Sequence, residues 1–221
     1  MIKVLPSTNP CPEDNLLDYT KTLMEMNVEY LHCDVMDGKF VENKCLDFSV
    51  VENIRNNTNI SLDVHLMVEN AFESVKKFAK LKPNIITIHY EALKNTKEFE
   101  KIVKYLHKKD ILVGLSIRPN TPIEIVERFL KQIDLILIMS VEPGKSGQKF
   151  IESSIEKIKT TKQLIGDKRV IIEVDGGINE ENAKSVIDAG AEFLVMGSAF
   201  YNSKDKQGLL NSIDKHYKKI K

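Results

Sequence analysis

Three stretches of the 221-residue chain carry acids and imidazoles at spacings suited to chemistry: His32-Cys33-Asp34-Val35-Met36-Asp37-Gly38, Asp63-Val64-His65-Leu66-Met67 and Glu173-Val174-Asp175-Gly176-Gly177. Each opens on a β-type run, and side chains two apart on a strand share a face. His32 and Asp34 then point together, with Cys33 on the other side. If His65 and Asp175 point the same way, two imidazoles and two carboxylates converge. Such a set suits a divalent ion such as zinc, iron, manganese or cobalt. Glycine turns form a second group: Gly176-Gly177, Gly197-Ser198, and Gly144 and Gly147 in the loop Val141–Gln148. Glycine lets backbone N–H groups close on an anion, and paired turns late in the chain favour phosphate binding.

These residues need elements to position them. Short apolar runs predict strands over Ile2–Leu5, Tyr30–Val35, Ser61–Met67, Ile85–His89, Leu112–Ile117, Leu135–Ser140, Val170–Val174 and Phe193–Met196. Uniformly apolar strands of this kind are covered on both faces. Helical periods fall between them: Asn15–Met26, Phe72–Ala79 behind Asn70 as cap, Phe99–Leu106, Ile155–Leu164, Glu181–Ala189 and Gly208–Tyr217. Thr121-Pro122 reads as a helix start leading into Ile125, Val126, Phe129 and Leu130, and Phe48–Ile54 is the weakest helix. Eight strands alternating with helices predict a single (β/α)8 TIM barrel over residues 1–221, with an open doubly wound sheet as the alternative. No Gly-x-Gly-x-x-Gly turn follows the first strand, which disfavours a dinucleotide fold. In a barrel the acids and imidazoles lie at the carboxyl ends of strands, where active sites form.

Lys plus Arg and Asp plus Glu each number 32, so the net charge is zero, against a nucleic-acid or polybasic membrane surface. The three cysteines, Cys11, Cys33 and Cys45, are odd in number and form no Cys-x-x-Cys pair, which fits a reducing compartment. With no leader-like start and no spanning apolar run, the expectation is a cytoplasmic protein.

The stretches His32–Phe40 (HCDVMDGKF), Leu62–Val68 (LDVHLMV), Ile86–Ala92 (ITIHYEA), Met139–Phe150 (MSVEPGKSGQKF), Glu173–Asn179 (EVDGGIN) and Ala189–Phe200 (AGAEFLVMGSAF) run through nearly the whole chain. On these the sequence resembles the ribulose-phosphate 3-epimerase family. The resemblance implies a barrel of the ribulose-phosphate-binding type and an isomerase of the pentose phosphate pathway. It would interconvert D-ribulose 5-phosphate and D-xylulose 5-phosphate by two-acid proton transfer at C3. It implies Asp34 and Asp175 as the acid/base pair, and His32, Asp34, His65 and Asp175 as ligands of one divalent metal. It places a sugar phosphate on Ser7, His65, Asp175, the loop Gly144-Lys145-Ser146-Gly147, Gly176, Gly177, Gly197 and Ser198. Met36, Met67 and Met139 would line the site, and a homo-oligomer is implied.

The departures from the family pattern lie in loops. Thr8-Asn9-Pro10-Cys11-Pro12 follows Pro6-Ser7, Glu42 replaces a proline, Arg118 lies in an altered strand end, and Lys145-Ser146 replaces Phe-Gly. They leave open the same chemistry on D-allulose 6-phosphate; the further alternative, a sugar-phosphate sensor that has lost turnover, is disfavoured by the intact His32, Asp34, His65 and Asp175 set. A lyase or decarboxylase barrel would need an Asp-x-Lys-x-x-Asp strand, and Asp63–Met67 contains no lysine. Among neighbours, Asp37 reads as a turn former beyond the strand end, His89 as a hydrogen-bonded structural residue and Asp63 as a supporting one. Cys33 reads as core, Lys145 as an unpaired surface lysine, and His107 and His216 as solvated.

Overall fold

The computed structural model describes residues 2–218, with side chains through residue 215; His216 lies outside the described side chains. The strands are β1 (Lys3–Pro6), β2 (Tyr30–Asp37), β3 (Lys44–Cys45), β4 (Ser61–Met67), β5 (Ile85–His89), β6 (Leu112–Ile117), β7 (Leu135–Met139), β8 (Ile171–Asp175) and β9 (Phe193–Met196). The helices are α1 (Leu16–Glu25), α2 (Phe48–Asn57), α3 (Ala71–Phe78), α4 (Thr96–His107), α5 (Ser154–Ile165), α6 (Glu180–Asp188), α7 (Ser198–Tyr201) and α8 (Lys206–Lys218).

Eight strands pair in parallel in the order β1-β9-β8-β7-β6-β5-β4-β2, and β3 adds an antiparallel hairpin to β2. The sheet curls until β1 meets β2, through a parallel bridge between Ser7 and His32 and a bond from the Thr8 N–H to the His32 carbonyl. This is the TIM-barrel class. Strand alternation sorts the residues. In β5, Ile86 and Ile88 pack outward in the core under the helices, while Ile85 joins an inner cluster with Leu5, Leu135, Leu137, Phe193 and Val195. Thr87 and His89 share the inward face of Ile85. The barrel is thus apolar at its base and polar toward the carboxyl ends of its strands.

The helices follow their apolar periods. In α4, Phe99, Ile102 and Leu106 are buried, and the Asn95 side chain accepts from the Glu98 N–H. In α6, Asn179 caps the start and Asn182 returns the bond to the Asn179 N–H.

Four predicted features differ. The segment behind Pro122 is a 3₁₀ helix over Ile123–Phe129, because its buried residues Ile123, Val126 and Phe129 recur every three positions. Lys157 Nζ gathers the carbonyls of Arg118, Pro119 and Thr121 ahead of it. Asn70 makes no side-chain cap on α3. Asp37 is the last residue of β2 rather than beyond it, and its carboxylate accepts from the Lys39, Phe40 and Glu69 N–H groups. His107 is half-exposed but paired with Asp134 at 2.9 Å, so it is not simply solvated.

Gly114 on β6 lies opposite Thr87 on β5, and a Cβ there would stand 2.8 Å from Thr87 Cβ and 3.1 Å from its Cα. Only glycine fits without moving a strand. Gly114→Ala is expected to destabilise the fold by about 1 to 3 kcal/mol in chemical denaturation. A variant as stable as its parent would show that β5 and β6 part there at no cost.

Candidate active site

At the carboxyl ends of β2, β4 and β8, one ligand atom each from His32, Asp34, His65 and Asp175 lies within 4.8 Å of every other. The four predicted residues therefore do converge, three of them buried and Asp175 partly exposed. Asp34 is central. Its Oδ1 lies 3.4 Å from both His32 Nε2 and His65 Nδ1, and its Oδ2 accepts from the Ser7 hydroxyl at 2.6 Å. Neither of those two buried imidazole nitrogens has a hydrogen-bond partner.

The outer imidazole nitrogens are engaged. His32 Nδ1 lies 2.5 Å from Asp63 Oδ2, and β2–β4 register sets the two residues side by side. His65 Nε2 lies 2.9 Å from His89 Nε2, and His89 Nδ1 lies 3.3 Å from Glu91 Oε2. Protons on His32 Nδ1, His65 Nε2 and His89 Nδ1 satisfy all three contacts. They leave lone pairs on His32 Nε2 and His65 Nδ1 facing Asp34, as second-layer acceptors do for metal-binding histidines. Two inward lone pairs and two carboxylates fit a divalent cation.

Electrostatics agree with a site built around positive charge. Burial opposes a charged His32, but Asp34 and Asp63 outweigh it and hold the imidazole protonated well above its usual range. A cation that takes the Nε2 lone pair replaces that proton. Burial likewise opposes an ionised Asp34, yet His32 and His65 pull its pKa far below the usual range. Asp175 behaves in the opposite way: burial and then the Asp34 charge push it up to about 7. The two carboxyls are thus shifted in opposite directions, as an acid and a base require. Burial lowers His89 to about 4. Burial would raise Glu91, but hydrogen bonds from His89, Thr121 and the Arg118 N–H hold it down at about 2.

Above this cluster opens a cavity of about 200 Å³. Asp34, Asp175, Met36, Met67 and Met139 line it, as do Ser7 and the glycine turns at 144, 147, 176, 177 and 197. Lys145, Ser146 and Ser198 also face it. The turn after β8 is tightly held. Ser140 Oγ donates to the Asp175 and Gly176 carbonyls, and Asn182 Nδ2 donates to the Gly177 carbonyl. Gly176 has φ +122°, and a Cβ there would lie 2.8 Å from the Val141 backbone nitrogen. Gly147 approaches Ser198: a Cβ on it would meet that hydroxyl at 3.8 Å.

Several residues stand where sequence reasoning did not put them. Glu173 was not singled out. It is buried on the inward face two before Asp175, 3.6 Å from His32 Nδ1, and burial with Asp63 nearby raises its pKa well above the usual range. Its spacing from Asp175 was the available signal. Glu91, two after His89, was missed for the same reason. Asn9 also lines the cavity. Lys145 is not unpaired, since its Nζ lies 3.1 Å from Glu42. His89 is buried and hydrogen-bonded, as expected, and Cys33 lies in the outer core.

Residues 3–201 match the model of the "Ribulose-phosphate 3 epimerase family". The chain is 38% identical over 216 residues to a ribulose-phosphate 3-epimerase of Bacillus subtilis, covering 96% of this chain and 98% of that protein. It is also 38% identical over 206 residues to the chloroplastic ribulose-5-phosphate-3-epimerase of Arabidopsis thaliana, covering 92% of this chain and 73% of that one. Among solved structures, a 3-hexulose-6-phosphate synthase superposes with TM-score 0.71 at 14% identity, covering 97% of this chain and 99% of that chain, a likeness of fold alone. Family match, close relatives and the converged acids and imidazoles agree: the chain belongs to the ribulose-phosphate 3-epimerase family.

Proposed function

We propose that the chain interconverts D-ribulose 5-phosphate and D-xylulose 5-phosphate, with Asp34 and Asp175 as its two acid/base groups. The observation that carries this reading is that two carboxyls from different strands, Asp34 and Asp175, converge in the lining of one cavity, the first pushed down in pKa and the second up. The relatives' shared name supports the five-carbon substrate over D-allulose 6-phosphate or a sensor role.

Inverting a carbon beside a ketone requires proton removal from one face and delivery to the other. Asp34, ionised, takes the C3 proton, and the electron pair passes to the C2 carbonyl oxygen to give an enediolate. Asp175, protonated, gives its proton to the opposite face of C3. The electrons return from oxygen, and the roles exchange in the reverse direction. Ser7 holds Asp34 in place through its hydroxyl. The methionines at 36, 67 and 139 keep the reacting carbon away from water. The phosphate would rest among the glycine turns at 147, 176, 177 and 197 and the Ser198 hydroxyl. His32, Asp34, His65 and Asp175 would hold one divalent ion, whose positive charge stabilises the negative charge developing on the substrate oxygens.

At equal metal content, Asp34→Asn and Asp175→Asn should each lower kcat by about a hundredfold or more in an epimerase assay. Activity within about tenfold of the parent would remove that residue from the acid/base pair. Asp63→Asn keeps the shape behind His32 and loses the charge. Its metal affinity should fall about tenfold in competition with a chromogenic chelator. Unchanged affinity would mean that Asp63 does not set the metal-facing nitrogen.

A further inference from the structure

The cavity has an unbalanced charge. Asp34, Glu142 and Asp175 line it, and among the described residues Lys145 is the one cationic side chain that does. A phosphate entering here meets backbone N–H groups and hydroxyls, and one cation. Lys145 stands in the wall between this cavity and an outer groove bounded by Phe40, Glu42 and Arg118. It is paired there with Glu42 at 3.1 Å.

The two neighbouring cations differ in freedom. Arg118 lies 4.6 Å over the Phe40 ring, donates to the Phe40 carbonyl at 3.1 Å and stands 3.8 Å from Glu142. It is committed on three sides. Lys145 has one carboxylate partner, and the side chains are 62% and 85% exposed, so the pair is weak and readily exchanged. The loops do not depend on it, because Asn43 Nδ2 donates to the Gly144 carbonyl at 2.7 Å and Val41 packs on Gly144. Two residues beyond Lys145, Gly147 faces Ser198.

We infer that Lys145 is a specificity-determining phosphate contact that exchanges Glu42 for the substrate's phosphate, with Glu42 as the competing anion that holds it when the site is empty. The inference rests on the epimerase reading for the identity of the substrate, but only on the cavity's charge for the class of ligand. Glu42 and Lys145 then act as one device, in which the acid weakens phosphate binding and the lysine supplies it.

The test uses the metal-loaded protein, Lys145→Met, Glu42→Gln and the double variant, matched in metal content and thermal stability. It reads kcat and KM for D-ribulose 5-phosphate and, by calorimetry, Kd for inorganic phosphate. Lys145→Met should raise KM and Kd about tenfold, with kcat within about twofold. Glu42→Gln should lower both constants about two- to threefold, and the double variant should match Lys145→Met, because Glu42 acts only through the lysine. Constants unchanged in Lys145→Met would overturn the inference. So would a Glu42→Gln variant that weakens binding, which would mark the pair as a loop fastener. If the parent turns over no substrate, the epimerase reading fails while the phosphate Kd values still decide the role of Lys145. A parent that binds no phosphate overturns it as well.

Discussion

Keeping ionisable groups dry inside a barrel is the constraint on which this structure depends. His32, Asp34, His65 and Asp63 are all buried, and none could stay there alone, because an isolated buried charge costs far more than a fold can spare. They are tolerated as a set. Asp34 sits between two imidazoles, His32 between two carboxylates, and His65 rests on His89, which rests on Glu91. Each contact fixes a proton on an outer nitrogen and turns a lone pair inward. A divalent cation would complete that set, taking the place of the proton that Asp34 and Asp63 hold on His32 against the cost of burial.

The barrel makes the arrangement available by geometry. Inward residues recur every second position on parallel strands, so β2, β4 and β8 each offer a pair: His32 with Asp34, Asp63 with His65, and Glu173 with Asp175. On β8 the deeper Glu173 supports and the outer Asp175 faces the cavity, on β4 Asp63 supports and His65 faces the cation site, and on β2 both His32 and Asp34 face that site. The apolar base of the barrel excludes water from below, and the glycine turns leave space above. A stiff acid-and-imidazole floor and a glycine-lined rim divide the labour between proton transfer and ligand capture.

Much of this could be read in the sequence. The strands at Ser61–Met67, Ile85–His89, Leu112–Ile117 and Phe193–Met196 were bounded correctly. The pairing of His32 with Asp34 on one face followed from the two-residue alternation, while the convergence of His65 and Asp175 on them was a condition that the family resemblance filled. What could not be read depends on register and on loops. That Asp63 meets His32 rather than its own neighbour requires the β2–β4 pairing. The β3 hairpin is two residues long and has no period to detect. The 3₁₀ segment after Pro122 shares its apolar residues with a helical pattern, and the buried three-residue spacing distinguishes it only in the fold. The contact between Glu42 and Lys145 joins positions 103 residues apart in two separate departures from the family pattern.

The central claim is that two carboxyls on opposite faces of C3 exchange protons with solvent between turnovers. Turnover of D-ribulose 5-phosphate in deuterium oxide by the metal-loaded protein, followed at C3 by NMR, tests it most directly. The account predicts D-xylulose 5-phosphate carrying deuterium at C3, with its formation lost on chelation. Product that keeps the original C3 proton would contradict it, because a proton carried across by one group leaves Asp175 with nothing to deliver.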